Sequence, residues 1–326
     1  MMEQKPLVIL TGPTAVGKTA LSIQLAKRIS GEIISADSMQ VYRTMDIGSA
    51  KISSEEMQGV PHHLIDVMEP EEAFHVVIFQ RLARKALQGI YDRRHIPIIT
   101  GGTGFYIQAL LYDIDFTENE DSADLRSRLE ELAQNGGGEA LHQLLRQMDP
   151  ESARLIHPNN KKRMIRAIEF YELTGTRISE HNETERQKES PYQFCYFVLN
   201  DDRDKIYTRI DARVDQMLKE GLLEEVKALQ KRGCTKDMVS MQGLGYKELL
   251  EYLDGKSTLE EAIYLIKRDS RHFAKRQLTW FRREKDVIWL EKEQLGDQEA
   301  ILRFMTDQMQ KRGILENGSY FGTEKE

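Results

Sequence analysis

Cysteine is scarce in this 326-residue chain, and long apolar runs are missing from it. Two cysteines, Cys195 and Cys234, are too few for a disulfide framework or a cysteine-ligated metal cluster, so we expect two reduced thiols. No apolar run approaches the roughly 20 residues that a membrane-spanning helix requires. No signal-peptide pattern precedes the first predicted strand. From these absences we expect a cytoplasmic protein with no membrane partner.

An excess of basic residues is also lacking, because the formal net charge is −7, which on average disfavours a nucleic-acid partner. The charges are unevenly distributed, however. Acidic residues cluster at 118–131, whereas basic residues concentrate at 159–166 and 267–285. A basic stripe in an acidic protein can bind a phosphate backbone, although such a run alone is more often a solvated helix face. Composition therefore leaves nucleic-acid binding open.

The segment GPTAVGKT at residues 12–19 matches the phosphate-binding loop pattern G-x-x-x-x-G-K-[ST] at every required position. It follows the apolar run LVIL and opens a predicted helix with an apolar residue every four positions. Its glycines let backbone N–H groups point inward, and the helix N-terminus adds a positive dipole. Lys18 would supply a charge to the terminal phosphates, and the Thr19 hydroxyl is a candidate Mg²⁺ ligand. The expected phosphate ligands are Gly12, Thr14, Ala15, Val16, Gly17, Lys18 and Thr19.

The first hundred residues alternate predicted strands and helices. Strands are predicted at 7–10, 33–36 and 96–100, and a four-residue apolar repeat over 74–90 predicts a helix. Strands joined by helical crossovers form a parallel, doubly wound α/β sheet, whose ligands bind at the carboxyl ends of the strands. The phosphate loop, residues 37–38 and the glycine-rich segment 101–104 are therefore expected to meet at one edge of the sheet.

Changes in residue composition and in apolar periodicity divide the chain into four predicted parts. Residues 1–115 form the first part of a P-loop α/β core. Residues 116–190 form a small all-helical insertion, because three short helical segments there are separated by glycine or proline. Residues 191–312 return to the core with strands at 192–200 and 286–291 and C-terminal helices, and residues 313–326 are a tail expected to be disordered.

Asp37 has two candidate roles on the residues alone. P-loop proteins that hydrolyse ATP usually place a metal-binding Asp at the end of a second apolar strand. The strand at 96–100 ends in TGGTG instead, while Asp37 follows the weaker strand EIISA and precedes Ser, Met and Gln. These polar side chains could hydrogen-bond to a flat polar group, and the Asp37 carboxylate could act as a general base. A Mg²⁺-shell carboxylate and a general base therefore both stay open.

A series of segments in fixed order is the most specific feature of the chain. In order they are GPTAVGKT, ISADSMQVYRTMDIGSAK, VPHHLID, GGTGFY, RIDARVDQML with GLLEEV, QGLGYKE and AKRQLTWFR. Together they resemble the bacterial tRNA dimethylallyltransferases, also called tRNA isopentenyltransferases, over residues 5–291 including the helical insertion.

The resemblance implies a prenyl transfer. The exocyclic amine of the adenosine 3′-adjacent to a tRNA anticodon would attack dimethylallyl diphosphate and release diphosphate. Lys18, Thr19 and a Mg²⁺ cofactor would stabilise the charge that develops on the leaving group, and Asp37 is the candidate base. Arg209 and Arg213, four residues apart, could share a helix face and clamp the diphosphate, although a surface or structural ion pair would explain each of them as well.

The resemblance also implies tRNA contacts, because the target base must flip out of the anticodon loop into a channel. Cations of the insertion would add phosphate contacts that weaken with salt. Trp280 and Phe281 have core packing as an alternative, which we favour for Phe281. The implied contacts are Asp37, Ser38, Met39, Gln40, Thr103, Arg126, Lys162, Arg163, Arg166, Gln242, Gly243, Leu244, Gly245, Tyr246, Lys247, Lys275, Arg276, Gln277, Trp280 and Arg282.

Two other functions stay open at this point. A small-molecule P-loop kinase would use the insertion as a substrate lid and would turn over ATP without tRNA. A P-loop protein that only binds RNA would form no covalent product. The lack of a second acidic strand end and the complete series of segments favour the transferase, which we expect to act as a monomer.

Overall fold

The computed structural model describes residues 4–116, 123–135 and 137–316, and its sheet has six strands. These are β1 Lys5–Thr11, β2 Gly31–Ser35, β3 His62–His63, β4 Ile96–Gly101, β5 Tyr192–Asn200 and β6 Val287–Glu291. They pair in parallel in the order β3-β2-β4-β1-β5-β6. The predicted α/β class with a mostly parallel sheet is therefore confirmed.

The central strands are predictable because they are buried on both faces. Residues 7–10 of β1 and residues 195–198 of β5 have no exposed surface. A strand covered on both sides is a continuous apolar run instead of an alternating one, and the predicted strand at 192–200 matches β5. No pattern in the sequence predicts β3, which is only two residues long.

Helices make up most of the described chain outside the sheet, whereas β2 and β3 are joined by the loop at 36–61. In chain order they are α1 Lys18–Ile29, α2 Val76–Asp92, α3 Gly104–Leu111, α4 Ala123–Asn135, α5 Gly137–Met148, α6 Pro150–Leu155, α7 Lys161–Thr174, α8 Ile178–Gln187, α9 Arg203–Glu220, α10 Leu222–Lys231, α11 Tyr246–Leu253, α12 Leu259–Phe281, α13 Lys292–Leu295 and α14 Gln298–Lys311. The described helices do not include one long and apolar enough to cross a bilayer. Cys195 and Cys234 are buried free thiols, as expected.

The chain forms two compact units. The first unit combines Met1–Leu111 with Pro191–Glu326 and holds the sheet. The second unit, Tyr112–Ser190, holds α4 to α8 around a core that includes Leu141, Leu145 and Ile168. It begins four residues before the predicted boundary at 116, because the Asp115 N–H donates to Glu185 of α8 at 3.1 Å.

The second unit contains two helices that the sequence did not predict. Asp149 caps α6 by accepting from the Ser152 N–H at 3.0 Å, and Pro150 stands at the start of that helix. The same carboxylate accepts from the N–H and hydroxyl of Ser179 in α8, at 2.9 and 2.7 Å. One buried carboxylate therefore joins the starts of both helices, a tertiary arrangement that periodicity does not reveal.

The predicted start of a disordered tail at residue 313 is wrong for the described residues. After α14, Ile314 is only 7% exposed and belongs to the core of the first unit, together with Met305 and Met309. Burial of this side chain holds the chain in place beyond the helix. Residues 317–326, the remainder of the predicted tail, lie outside the described residues.

A buried carboxylate connects three strands near their amino ends. The Glu32 side chain in β2 is 1% exposed and accepts from the Nε and Nη2 atoms of Arg93, each at 2.7 Å. It also contacts His63 Nε2 of β3 and His95 Nδ1, directly before β4, at 2.7 Å each. Hydrogen bonding to Arg93 is the main cause that lowers the pKa of Glu32 to about 2.

We expect this carboxylate to make stability depend on pH. Because its folded-state pKa of about 2 lies below the ordinary value of 4.5, its contribution is present above pH 4.5 and is lost as the pH falls towards 2. Glu32→Gln should lower the free energy of unfolding at pH 7 by about 2 kcal/mol and flatten the pH dependence in that window. Urea denaturation at several pH values measures both effects.

The matched control is Glu299→Gln, because Glu299 pairs with Arg28 but its side chain is 51% exposed. Such a surface pair contributes at most about 1 kcal/mol. Equal losses of stability and equal pH slopes in the two variants would contradict a special role for Glu32.

Candidate active site

Three chain segments meet where three neighbouring strands end. β1, β4 and β2 are adjacent, and they lead into the phosphate loop, the glycine-rich segment at 101–104 and Asp37. The Ala36 N–H donates to the Thr100 carbonyl at 2.8 Å, and the Thr103 N–H donates to the Ala36 carbonyl at 3.2 Å. The expected meeting of these segments at one sheet edge is thus observed, with Asp37 and Thr103 side by side.

The phosphate loop has the backbone conformation of an anion-binding nest. Gly12, Ala15 and Gly17 all have positive φ, of 148°, 62° and 102°. At Gly12 a side chain is excluded by space as well, because a Cβ atom would lie 2.3 Å from the Leu199 carbonyl oxygen. Successive N–H groups that point to one side, followed by the start of α1, favour a bound anion.

Lys18 is a half-buried cation of the loop. Its Nζ donates to the Gly12 carbonyl at 3.0 Å and to the Pro13 carbonyl at 2.9 Å. Burial is the main cause that lowers the pKa of Lys18 to about 8; the charge of Arg213 acts in the same direction and that of Asp37 against it. Lys18 therefore lies within electrostatic range of both side chains.

Asp37 faces these two cations from the end of β2. Its Oδ1 accepts from the N–H groups of Met39 at 2.8 Å and Gln40 at 3.4 Å, which fixes the carboxylate relative to the turn. Burial lowers the pKa of Arg213, whereas the charge of Asp37 raises it. The site accordingly places one partly exposed carboxylate opposite an ammonium and a guanidinium.

The two arginines predicted to clamp a diphosphate have different surroundings. Arg213 lies near Lys18 and Asp37, as its effect on the Lys18 pKa shows. Arg209 is hydrogen-bonded to the Asp201 carboxylate and, through Nε, to the Lys205 carbonyl at 3.1 Å. Arg209 thus forms the structural ion pair that was its alternative, whereas Arg213 lies near Lys18 and Asp37. A diphosphate contact by either arginine stays a prediction.

Lys292 follows β6 directly in the chain and contacts the phosphate loop. Sequence patterns did not predict this contact. Its Nζ donates to the Val16 carbonyl at 3.1 Å and lies 3.9 Å from Asp201 Oδ2, the partner of Arg209. The side chain of Val16 itself is fully buried, so only its backbone can contact a ligand. Nothing in the local sequence around residue 292 distinguishes this lysine from a surface lysine.

The segment QGLGYKE packs against the loop that follows Asp37. Tyr246 is fully buried and donates its hydroxyl to Glu225 at 2.7 Å. Glu225 accepts from the N–H groups of residues 46, 47 and 48 at 2.8, 2.8 and 3.1 Å. Gly243 lies against Met39, where an added Cβ would be 2.5 Å from the Met39 methyl carbon.

This arrangement corrects part of the implied tRNA contact list. Gly243, Gly245 and Tyr246 are buried, so they present no side-chain surface to RNA. Gly243 lies against Met39 and Tyr246 against Gly48, both in the loop at 37–48. Gln242 and Lys247 are exposed and Leu244 is partly exposed, and these three stay candidates. Ser38, Met39 and Gln40 are partly exposed beside Asp37.

Helix α12 approaches the glycine-rich segment so closely that side chains are excluded there. A Cβ at Gly104 would lie 2.3 Å from the Trp280 ring, and one at Gly102 would lie 2.0 Å from Gln277 Nε2. Gln277 is 5% exposed, and its side chain binds the backbone of Thr14 and Gly102, which corrects its assignment as a tRNA contact. Since the Thr14 N–H is already engaged, that residue has only its hydroxyl free for a phosphate.

The other implied contacts on α12 are available to a ligand. Lys275, Arg276 and Arg282 are exposed and Trp280 is partly exposed. Phe281 is 1% exposed and belongs to the core, as predicted. One helix thus presents cations to solvent while its opposite face contacts the strand ends.

The predicted cations of the second unit are also exposed. Lys162, Arg163 and Arg166 lie along α7, where the Asn160 side chain caps the helix. Arg126 of α4 lies 3.5 Å from Glu130 and 3.8 Å from the buried Glu169. These cations form a basic surface on this unit, although Arg126 is partly neutralised by its neighbours.

Comparisons with known proteins agree on one family. A family model described as IPP transferase matches residues 40–284. The curated tRNA dimethylallyltransferase of Lachnoclostridium phytofermentans is 60% identical over 311 residues, which cover 95% of this chain and 99% of that protein. The solved tRNA isopentenylpyrophosphate transferase of Bacillus halodurans is 45% identical, with a TM-score of 0.71 and coverage of 95% and 98%. A solved eukaryotic dimethylallyltransferase acting on tRNA is 28% identical, with a TM-score of 0.78 and coverage of 97% and 82%.

The lowered pKa of Lys18 predicts how anion binding changes with pH. An anion prefers the ammonium form, so the affinity for inorganic diphosphate should fall as the pH rises through about 8. The fall approaches about tenfold per pH unit once the lysine of the free protein is mostly neutral. Calorimetric titration with diphosphate between pH 7 and 9.5 measures this dependence.

Lys18→Met supplies the control, because its residual pH dependence reports only the ionisation of diphosphate itself. We expect weaker binding by this variant and a shallower pH dependence. Parallel pH profiles for the two proteins would contradict a role of the Lys18 charge in anion binding.

Proposed function

The chain belongs to the IPP transferase family, and on that premise we propose that it transfers the dimethylallyl group of dimethylallyl diphosphate to tRNA. The acceptor is the N6 amine of the adenosine 3′-adjacent to the anticodon. The observation that carries the proposal is Asp37, a carboxylate at one strand end, opposite Lys18 of a phosphate loop at a neighbouring strand end. The relatives named above are all tRNA-modifying transferases, which disfavours the kinase alternative.

The chemistry requires a leaving group and a base on opposite sides of one carbon. The N6 nitrogen forms a bond to the allylic carbon while the carbon–oxygen bond breaks, and diphosphate leaves with the electron pair. Lys18, Arg213 and the N–H groups of the loop stabilise the charge that grows on diphosphate. Asp37 accepts the proton that the amine loses, and its turn N–H donors orient the carboxylate.

The residues present fit a Mg²⁺ ion that is held mainly by substrate. The exposed Thr19 hydroxyl, in the first turn of α1, is an oxygen ligand of the kind that Mg²⁺ takes. Among the described residues no three His, Cys, Asp or Glu side chains cluster to hold a metal, and a phosphate-bound Mg²⁺ needs only one or two protein ligands. When bound, Mg²⁺ would neutralise charge on the diphosphate oxygens.

We propose that tRNA is bound by exposed cations on both units. Lys275, Arg276 and Arg282 would contact phosphates near the reacting base, while Lys162, Arg163 and Arg166 would contact the RNA backbone elsewhere. The target adenosine leaves its stack and presents N6 to Asp37. We also propose a cytoplasmic location, which suits a tRNA substrate, and action as a monomer, which size-exclusion chromatography with light scattering tests.

A label-transfer assay tests the proposed function directly. Purified protein is mixed with Mg²⁺, radiolabelled dimethylallyl diphosphate and unmodified tRNA, with a sample lacking tRNA and a parallel assay of ATP hydrolysis. We expect label in tRNA, located in N6-substituted adenosine after digestion, and no consumption of ATP. ATP consumption without labelled tRNA would overturn the proposal in favour of a kinase.

Asp37→Asn tests the proposed base. The amide oxygen can still accept from the Met39 N–H, so the turn is preserved while the proton acceptor is lost. We expect kcat to fall by about 10²–10⁴-fold with tRNA affinity nearly unchanged. Single-turnover transfer and filter binding measure the two effects, with Asp307→Asn on α14 as the control; full activity of Asp37→Asn would refute the role.

The cations of the second unit predict a salt dependence. Reversing the charges of Lys162 and Arg163 should weaken tRNA binding and reduce the slope of log affinity against log salt by roughly 0.7–0.9 for each lost phosphate contact. The matched control reverses Arg303 and Lys311, two cations of α14 outside the proposed surface. A similar change of slope in both double variants would mean that net charge, and not this surface, determines the affinity.

A further inference from the structure

Gln277 connects two strand ends of the site through one side chain. Its Oε1 accepts from the Thr14 N–H of the phosphate loop at 2.9 Å. Its Nε2 donates to the carbonyl of Gly102, directly after β4, at 3.0 Å. The side chain is 5% exposed, so both bonds are shielded from water and neither backbone group has solvent as a substitute.

The primary amide is well suited to this position. It carries an acceptor and a donor on one planar group, whereas a carboxylate only accepts and an ammonium only donates. Gly102 provides the necessary space, since a Cβ there would lie 2.0 Å from Nε2. The Gln277 side chain can therefore occupy this position only because residue 102 is a glycine.

Gln277 lies on α12, the helix that also carries cations proposed to bind tRNA. Lys275 and Arg276, which directly precede it in the helix, are exposed, while Trp280 on the next turn packs against Gly104. A buried amide thus links the helix that carries proposed RNA contacts to the phosphate loop.

We propose that Gln277 is a positioning residue that sets the geometry of the phosphate loop from helix α12. It acts through the backbone of Thr14, which enters the nest of N–H groups around residues 15–19, and it contacts no substrate. The proposal rests on the proposed function for its meaning in catalysis, but its physical content is the affinity of the loop for diphosphate.

The first test compares two buried glutamines. Gln277→Met removes both hydrogen bonds at nearly constant volume. Gln80→Met is the matched control, because Gln80 is also 5% exposed and donates to a helix carbonyl, that of Ala109, at 2.9 Å. We expect affinity for inorganic diphosphate with Mg²⁺ to fall roughly tenfold in Gln277→Met and to stay unchanged in Gln80→Met, although both lose thermal stability.

The second test uses Gln277→Glu, which remains informative if the methionine variant does not fold. A protonated glutamic acid can accept from Thr14 and donate to Gly102, whereas the ionised form places an oxygen against the Gly102 carbonyl. The ratio of variant to wild-type diphosphate affinity should therefore rise as the pH is lowered from 7.5 to 5.5. Taking the ratio cancels the ionisation of Lys18 and of diphosphate, which both proteins share.

The outcomes separate this proposal from the proposed function. Unchanged diphosphate affinity in Gln277→Met, equal losses in both methionine variants, or a pH-independent ratio for Gln277→Glu would each overturn the positioning role. Failure of the proposed function would show differently, as diphosphate binding by the wild type without transfer of label to tRNA.

Discussion

Parallel pairing of β1, β4 and β2 is the constraint on which the site depends. Because the three strands run in the same direction and lie side by side, the segments that follow them must emerge at one edge. Hydrogen bonds from Ala36 to Thr100 and from Thr103 to Ala36 continue this pairing beyond β2 and β4. A phosphate loop, a carboxylate and a glycine-rich turn therefore adjoin although they are distant in sequence.

The charges of Lys18, Arg213 and Asp37 give these neighbouring side chains different roles. Burial lowers the pKa of Lys18 and of Arg213, so placing these two cations together has an electrostatic cost that the charge of Asp37 only partly offsets. A bound diphosphate would supply the missing negative charge, so the site is arranged in advance for an anion. Asp37 would then lie beside the anion, where a proton acceptor assists the alkylation of an amine.

Sequence patterns predicted those parts of the molecule that depend on local chemistry. The phosphate loop and the buried strands follow from a short motif and from apolar runs. The roles of Gln277, Glu225 and Lys292 did not, because each contacts a segment more than 170 residues away. Family resemblance placed Tyr246 and Gln277 in the correct region of the molecule but assigned them to RNA, since a motif does not tell which of its side chains face inward.

A crystal structure of the protein with Mg²⁺ and dimethylallyl thiolodiphosphate, a donor analogue whose carbon–sulfur bond resists cleavage, tests the central claim most directly. We expect the diphosphate oxygens to bind the N–H groups of residues 15–19 and the side chains of Lys18 and Arg213. The allylic carbon should face Asp37 across a space that the target adenine can occupy. A diphosphate bound away from the loop, or an allylic carbon turned away from Asp37, would contradict it.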